Sequence, residues 1–146
     1  MRSSLVVLGE SDTALRQLMA GILRAIGHDV RECSNALQLQ VELNLEGAIA
    51  SDRLLIVVNR AMADQCLRDL ATAVRHRSVA GRERTRVLYT CEMGHLNVPL
   101  PEIGFVHDLG VLEKPFDIDV LERVAQRDLD TDAAPEVAVA RRDFPT

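Results

Sequence analysis

The chain is 146 residues long and carries a formal net charge of −5, with hydrophobic residues at 47%, aromatic residues at 3% and no Trp. That length is one domain's worth, and Leu, Val, Ile and Ala must supply its core. No apolar stretch nears the ~20 residues that cross a bilayer, the apolar run before Glu10 is too short for a signal peptide, and Cys33, Cys66 and Cys91 have neither disulfide-framework nor zinc spacing. Membrane, secreted and disulfide-rich classes are set aside, and a reducing cytoplasm is the expected compartment. The acidic balance argues against a nucleic-acid binder.

Residues 4–8, SLVVL, form a short apolar run ended by Gly9, the pattern of a strand buried on both faces. Leu15, Leu18, Met19, Ile22 and Ile26 recur at spacings of three and four, which predicts a helix. Ser11 or Asp12 can cap its start and Gly27 its end. His28 to Cys33 reads as a second strand. Ser34 or Asn35 then opens a helix to about Glu46, with Leu37, Val41 and Leu45 four apart and Gly47 as its stop. Residues 54–58, LLIVV, are the strongest strand signal, followed by Asn59 and Arg60. A helix from about Ala63 to Arg75 carries Met62, Cys66, Leu70 and Val74 at four-residue spacing. The stretch 75–86, RHRSVAGRERTR, reads as a polar loop, and 87–90, VLYT, as a fourth strand. Gly94, Pro99, Pro101 and Gly104 leave any helix in 91–109 short or broken. Residues 110–113 fit a fifth strand. Asp117 can cap a last helix with Ile118, Leu121, Ala125 and Leu129, and 130–146 reads as a disordered tail beyond a domain of 1–129.

Strand and helix alternate five times. Such alternation predicts a five-stranded parallel sheet with helices on both faces, because each return to a parallel strand needs a crossover. Ligands in these folds meet the carboxyl ends of the strands. The residues there are Gly9, Glu10 and Ser11; Asn59 and Arg60; Thr90 and Cys91; Lys114 and Pro115.

Those segments resemble response-regulator receiver domains. LVVLGESDTALRQLM is similar to the family's opening, where a first strand ends in an acidic pair. GHDVRE resembles its second strand, LLIVVNRAM its third strand and following loop, VLYT its fourth strand, and VLEKPFDIDVLERV its fifth strand, Lys-Pro-Phe and last helix. The resemblance covers roughly residues 4–129 and implies a flavodoxin-like, CheY-like three-layer sandwich. It also implies a chemistry: a central Asp takes a phosphoryl group from a phosphohistidine, a magnesium ion held by carboxylates screens the charge, and a Lys and a hydroxyl bond the phosphoryl oxygens.

Carried over residue by residue, the Lys role falls on Lys114 and the hydroxyl role on Thr90. The acidic pair falls on Glu10 and Ser11, the phosphoacceptor on Asn59, the aromatic switch position on Val111, and the Pro after the acceptor loop on Ala63. An amide is a poor nucleophile, and two carboxylates of the metal site are gone. Magnesium is therefore expected to bind weakly, through Glu10, or not at all. The resemblance then implies a stand-alone pseudo-receiver, not an enzyme. It acts by phosphorylation-independent contact with a protein partner of bacterial signalling: a histidine kinase, regulator or effector, or a second copy. The family's usual contact face would draw here on Val106, Leu109, Val111, Ile118, Leu121 and Val124. Two alternatives stay open: a receiver with another acceptor, such as Asp64 or Ser11, and metal on Glu10 and Asp12; and a small-ligand sensor on the same fold.

Each site residue also has a plain structural reading. Lys114 belongs in a polar pocket with Glu10 or Asn59, or is a solvated strand-end lysine. Asn59 hydrogen-bonds the following loop. Thr90 is satisfied by backbone. Glu10 supports the first helix through its dipole. Arg75, Arg77, Arg82, Arg84 and Arg86 read as a solvated charged loop, since no aromatic residues interleave for base stacking. Cys33 and Cys66 read as small core residues, and Cys91 lies near the pocket.

Overall fold

The computed structural model describes residues 4–104 and 106–130, so residues 131–146 of the expected tail lie outside the described residues. In chain order the elements are β1 (Ser4–Gly9), α1 (Thr13–Ala25), β2 (Asp29–Cys33), α2 (Ala36–Leu43), α3 (Glu46–Ala50) and β3 (Arg53–Asn59). They continue with α4 (Arg60–Gln65), α5 (Leu67–Arg75), α6 (Val79–Glu83), β4 (Thr85–Cys91), β5 (His107–Glu113) and α7 (Ile118–Asp130). The strands form one parallel sheet of order β2-β1-β3-β4-β5, the flavodoxin-like arrangement.

Alternation along the strands sorts the core into two layers. Val7, Ile56, Val58, Tyr89 and Val111 point to the side covered by α2, α4 and α5. Val6, Leu8, Val57, Leu88 and Leu112 point to the side covered by α1 and α7. The central strand β3 is buried at every position, which explains its unbroken apolar run.

Several elements depart from the sequence reading, each for a local reason. The helix expected to run to Glu46 stops at Leu43; Leu45 turns extended, and Gly47 lies inside α3. The four-spaced set of that helix also faces outward. Leu39 and Leu43 are its buried residues, while Leu37, Val41 and Leu45 are exposed. The helix expected from Ala63 to Arg75 is two helices. The first starts at Arg60, capped by Asn59, and the break falls at Cys66. Strand β5 begins three residues before Gly110. Its pairing with β4 shifts register between Val87 and Tyr89, and Gly110 takes a φ of 107° while its N–H bonds Asp108 Oδ1 at 2.7 Å. That bulge turns Leu109 and Leu112 to one face and Val111 to the other, a pattern strict alternation does not show.

The polar stretch 75–86 is not a solvated loop throughout. It contains α6, and Arg77 and Arg86 are buried. The Arg77 guanidinium bonds Thr85 Oγ1 at 2.8 Å, Ser51 Oγ at 3.1 Å and the Ala48 and Gly81 carbonyls, tying α3, α6 and β4 together. Burial lowers its pKa to about 10, against the pull of Asp52. Arg86 pairs with Asp128 at 2.8 Å beneath the sheet, and Arg53 donates to the Asp128 carbonyl. His28 bonds Ser4 Oγ at 2.7 Å and the Ala125 carbonyl at 3.2 Å. Burial lowers the His28 pKa, opposed by the Ala125 carbonyl and Asp128. Burial pushes the Asp128 carboxyl up, opposed by Arg86, His28 and Arg53.

These contacts pin the last turn of α7 under the amino ends of β3 and β4. Removing one partner of a buried pair strands the other charge. Asp128→Ala is expected to cost roughly 3–5 kcal/mol in urea unfolding. A loss no larger than a surface mutation's, under ~0.5 kcal/mol, would show that Arg86 finds other neutralisation.

Candidate functional site

The carboxyl edge of the sheet brings Glu10, Asn59 and Lys114 into one polar network. Glu10 follows β1 and is only 1% exposed. Its Oε1 lies 2.7 Å from Lys114 Nζ, and its Oε2 accepts the Asp12 N–H at 2.9 Å. Lys114 follows β5, and its own N–H donates to the Cys91 carbonyl at 2.8 Å. The ammonium also reaches Glu92 Oε1 at 3.2 Å. That same oxygen accepts Asn59 Nδ2 at 3.0 Å. Asn59, the last residue of β3, uses Oδ1 to accept the Ala61 N–H at 3.0 Å and so caps α4. The order of contacts is Glu10, Lys114, Glu92, Asn59.

Glu92 was not among the sequence candidates. It lies one residue past β4, so the rule that strand ends carry the site extends to it. Burial works to raise its carboxyl, but Lys114 and Asn59 together hold it below the usual range. Burial works to lower the Lys114 ammonium, and Glu10 and Glu92 outweigh it, so its pKa is raised.

The remaining candidates lie outside the network. Ser11 is exposed. Asp12 caps α1 by accepting the Leu15 N–H at 2.9 Å. Thr90 is 1% exposed, and its hydroxyl has no hydrogen-bond partner among the described residues, contrary to the expected backbone bond. Cys91 is buried, and burial raises its thiol. Cys33 and Cys66 are buried too, their thiols pushed up to about 12 and about 11.

The expected contact face does not form as a surface. Leu109, Val111, Leu121 and Val124 are buried in the core, and Val106 and Ile118 pack partly buried against it. Two features explain this. The β5 bulge turns its apolar residues inward, and residues 92–106 carry no helix among those described. Val111 has no ring, but its partner in the adjacent strand is Tyr89, a second residue that sequence reasoning missed. Tyr89 is 1% exposed and donates its hydroxyl to the Pro101 carbonyl at 2.8 Å, which anchors that loop over the core.

A groove of about 390 Å³ opens beside the network. Leu15, Leu18, Met93, Pro115, Phe116 and Ile118 line it, with Lys114 and Glu92 at its polar end. Leu18 and Met93 are 53% and 70% exposed.

The two pKa shifts set the pH response. The Glu92 contribution is complete above the ordinary carboxylate range and fades as pH falls through its lowered pKa. The Lys114 contribution is complete below the ordinary lysine value and fades as pH rises through its raised pKa. Glu92 is more than half exposed, so Glu92→Gln is expected to cost only ~0.5–1 kcal/mol at neutral pH. In urea unfolding at successively lower pH, that deficit should shrink toward zero; a constant deficit would show that the charge is not what matters. Lys114→Met strands the buried Glu10 carboxylate and is expected to cost roughly 3–5 kcal/mol, clearly more than Glu92→Gln in the same assay.

No family model and no curated protein matches the chain. Solved structures do. The receiver domain of the hybrid histidine kinase CckA matches with a TM-score of 0.59 at 19% identity, over 86% of this chain and 98% of that one. A CheY-like response regulator receiver domain protein from Methanospirillum hungatei matches with a TM-score of 0.62 at 16% identity, over 89% of this chain and 96% of that one. NtrX from Brucella abortus in complex with ADP gives 0.62 at 24% identity, over 89% of this chain but only 26% of NtrX. The likeness is one of fold, and the chain has the fold of CheY-like response-regulator receiver domains.

Proposed function

We propose that this chain is a pseudo-receiver: a receiver fold that takes up no phosphoryl group and works by contact with a protein of a two-component signalling pathway. The observation that carries this reading is the state of Asn59. Its amide stands at the end of the third strand, where the resemblance places the phosphoacceptor. The nitrogen lone pair of an amide is delocalised, so no nucleophilic oxygen anion is offered there. Both ends of the amide are also engaged, one on Glu92 and one on Ala61.

The surroundings support the same reading. The Lys114 charge is shared between Glu10 and Glu92, so an incoming phosphoryl group meets no uncommitted cation there. The residues present do not fit a magnesium ion. Such an ion wants several hard oxygens in octahedral array. Here both Glu10 oxygens and the Asn59 oxygen already hold protein donors.

The partner is a protein of the same pathway: a histidine kinase, a regulator or an effector. The groove beside Lys114 fits it better than the expected face, because Leu18, Met93 and Pro115 of its lining are exposed. The exposed acids Asp12, Glu92, Asp117 and Asp119 lie in or next to the segments that line it, so it favours an apolar partner surface with a basic flank.

Intact-mass spectrometry after incubation with acetyl phosphate and magnesium tests the reading. Wild type is expected to gain no phosphoryl mass. Asn59→Asp combined with Ser11→Asp restores two carboxylates, and a gain in that variant alone would support the reading that the missing carboxylates are what block the wild type. A modified wild type would overturn the proposal, and mapping would show whether Asp64, Ser11 or another residue is the acceptor.

A further inference from the structure

Among the described residues, the large exposed apolar side chains are Leu18, Leu37, Val41, Leu45, Val79 and Met93. Three of them, Leu37, Val41 and Leu45, fall four residues apart on the outer side of α2 and the turn that follows it. The inner side of α2 is apolar as well, with Leu39 and Leu43 at 0% and 2% exposure. Leu37 and Val41 stand at 69% and 52%. A helix that is apolar on both sides is ordinarily covered on both sides. We propose that the outer face of α2 is the interface between two copies of this chain, packed antiparallel about a two-fold axis near Val41.

Symmetry and charge single out a second copy as the occupant. Leu37 and Leu45 are equally spaced from Val41, so a two-fold axis there sets Leu37 of one copy against Leu45 of the other. Rows of side chains four apart are the ridges that interdigitate when two helices pack. The chain is acidic overall, at −5, so two copies repel over most approaches. This face is the exception. Gln38, Gln40 and Asn44 border the stripe as neutral amides, and Glu42 is paired with Arg31 at 4.0 Å. In the two-fold register Glu42, paired with Arg31, meets Gln40, which donates its amide to Asp69, so the acids nearest the seam are each engaged within their own copy.

Area sets the strength. The stripe runs about 12 Å along the helix at 1.5 Å per residue. A face that short falls well below the ~800 Å² per partner of a stable complex. A concentration-dependent dimer follows, not a permanent one. The inference stands apart from the pseudo-receiver reading, since no residue of the strand-end network takes part.

Sedimentation equilibrium of the full chain over a wide concentration range tests it. The wild-type mass is expected to rise from monomer toward dimer. Val41→Glu should move the midpoint at least tenfold higher, while Val79→Glu, a comparably exposed apolar site elsewhere, leaves it in place. Mild oxidation of Val41→Cys should give a covalent dimer, and Val79→Cys should not; this arm needs no charge in the interface. A wild type that stays monomeric throughout, or a Val41→Glu dimer of unchanged midpoint, overturns the proposal. So does a chain that dimerises only after residues 131–146 are deleted, which would assign the stripe to the chain's own terminal segment.

Discussion

A carboxylate that is 1% exposed must be neutralised where it stands, and at the carboxyl edge of this sheet that group is Glu10. Lys114 does it at 2.7 Å, although β1 and β5 are separated by two other strands. The lysine is itself fixed by its backbone bond to Cys91. Through Glu92 the same ammonium is coupled to Asn59. One cation therefore links the ends of β1, β3, β4 and β5. The opposite edge repeats the device with the signs exchanged: one acid, Asp128, lies among Arg86, Arg53 and His28. Among the described residues, buried charge gathers at the two ends of the strands, and the apolar layers lie between them.

The fold was legible because the central strands are buried on both faces, which leaves the short apolar runs SLVVL and LLIVV in the sequence. Boundaries were harder, for physical reasons. A bulge at Gly110 breaks alternation and hides the first half of β5. A five-residue helix such as α6 is too short to show a period. Arg77 and Arg86 looked solvated because sequence shows charge but not the carbonyls and carboxylate that satisfy it. In α2 both two-residue neighbours Leu37 and Leu39 are apolar, and periodicity alone cannot tell which side meets the sheet.

The site divides along the same line. Glu10, Asn59 and Lys114 were visible because strand ends converge in a parallel sheet. Glu92 lies in the β4–β5 loop, where side-chain direction is set by tertiary contacts. The expected interaction face failed where exposure had to be known. Val111 and Leu121 carry the right chemistry at the right elements, yet both are buried. Tyr89 fills the layer beside Val111 and spends its hydroxyl on Pro101, so the ring is an anchor of the loop.

Asn59 and Glu92 make sense only together. A carboxylate at position 59 would put three acids around Lys114, and its oxygen would face the Glu92 oxygen across a hydrogen-bond distance with no proton between them. Like charges that close disfavour ionisation of both. The amide removes the third charge and supplies the N–H that Glu92 accepts, and its oxygen still caps α4. The pocket is thus built around an amide, with its own carboxylate, Glu92, holding the lysine. In the proposed reading, a strand-end pocket closed upon itself in this way leaves the outer surfaces for recognition. Among the described residues, large apolar side chains are exposed at the groove by Leu18 and Met93, on the outer side of α2, and at Val79.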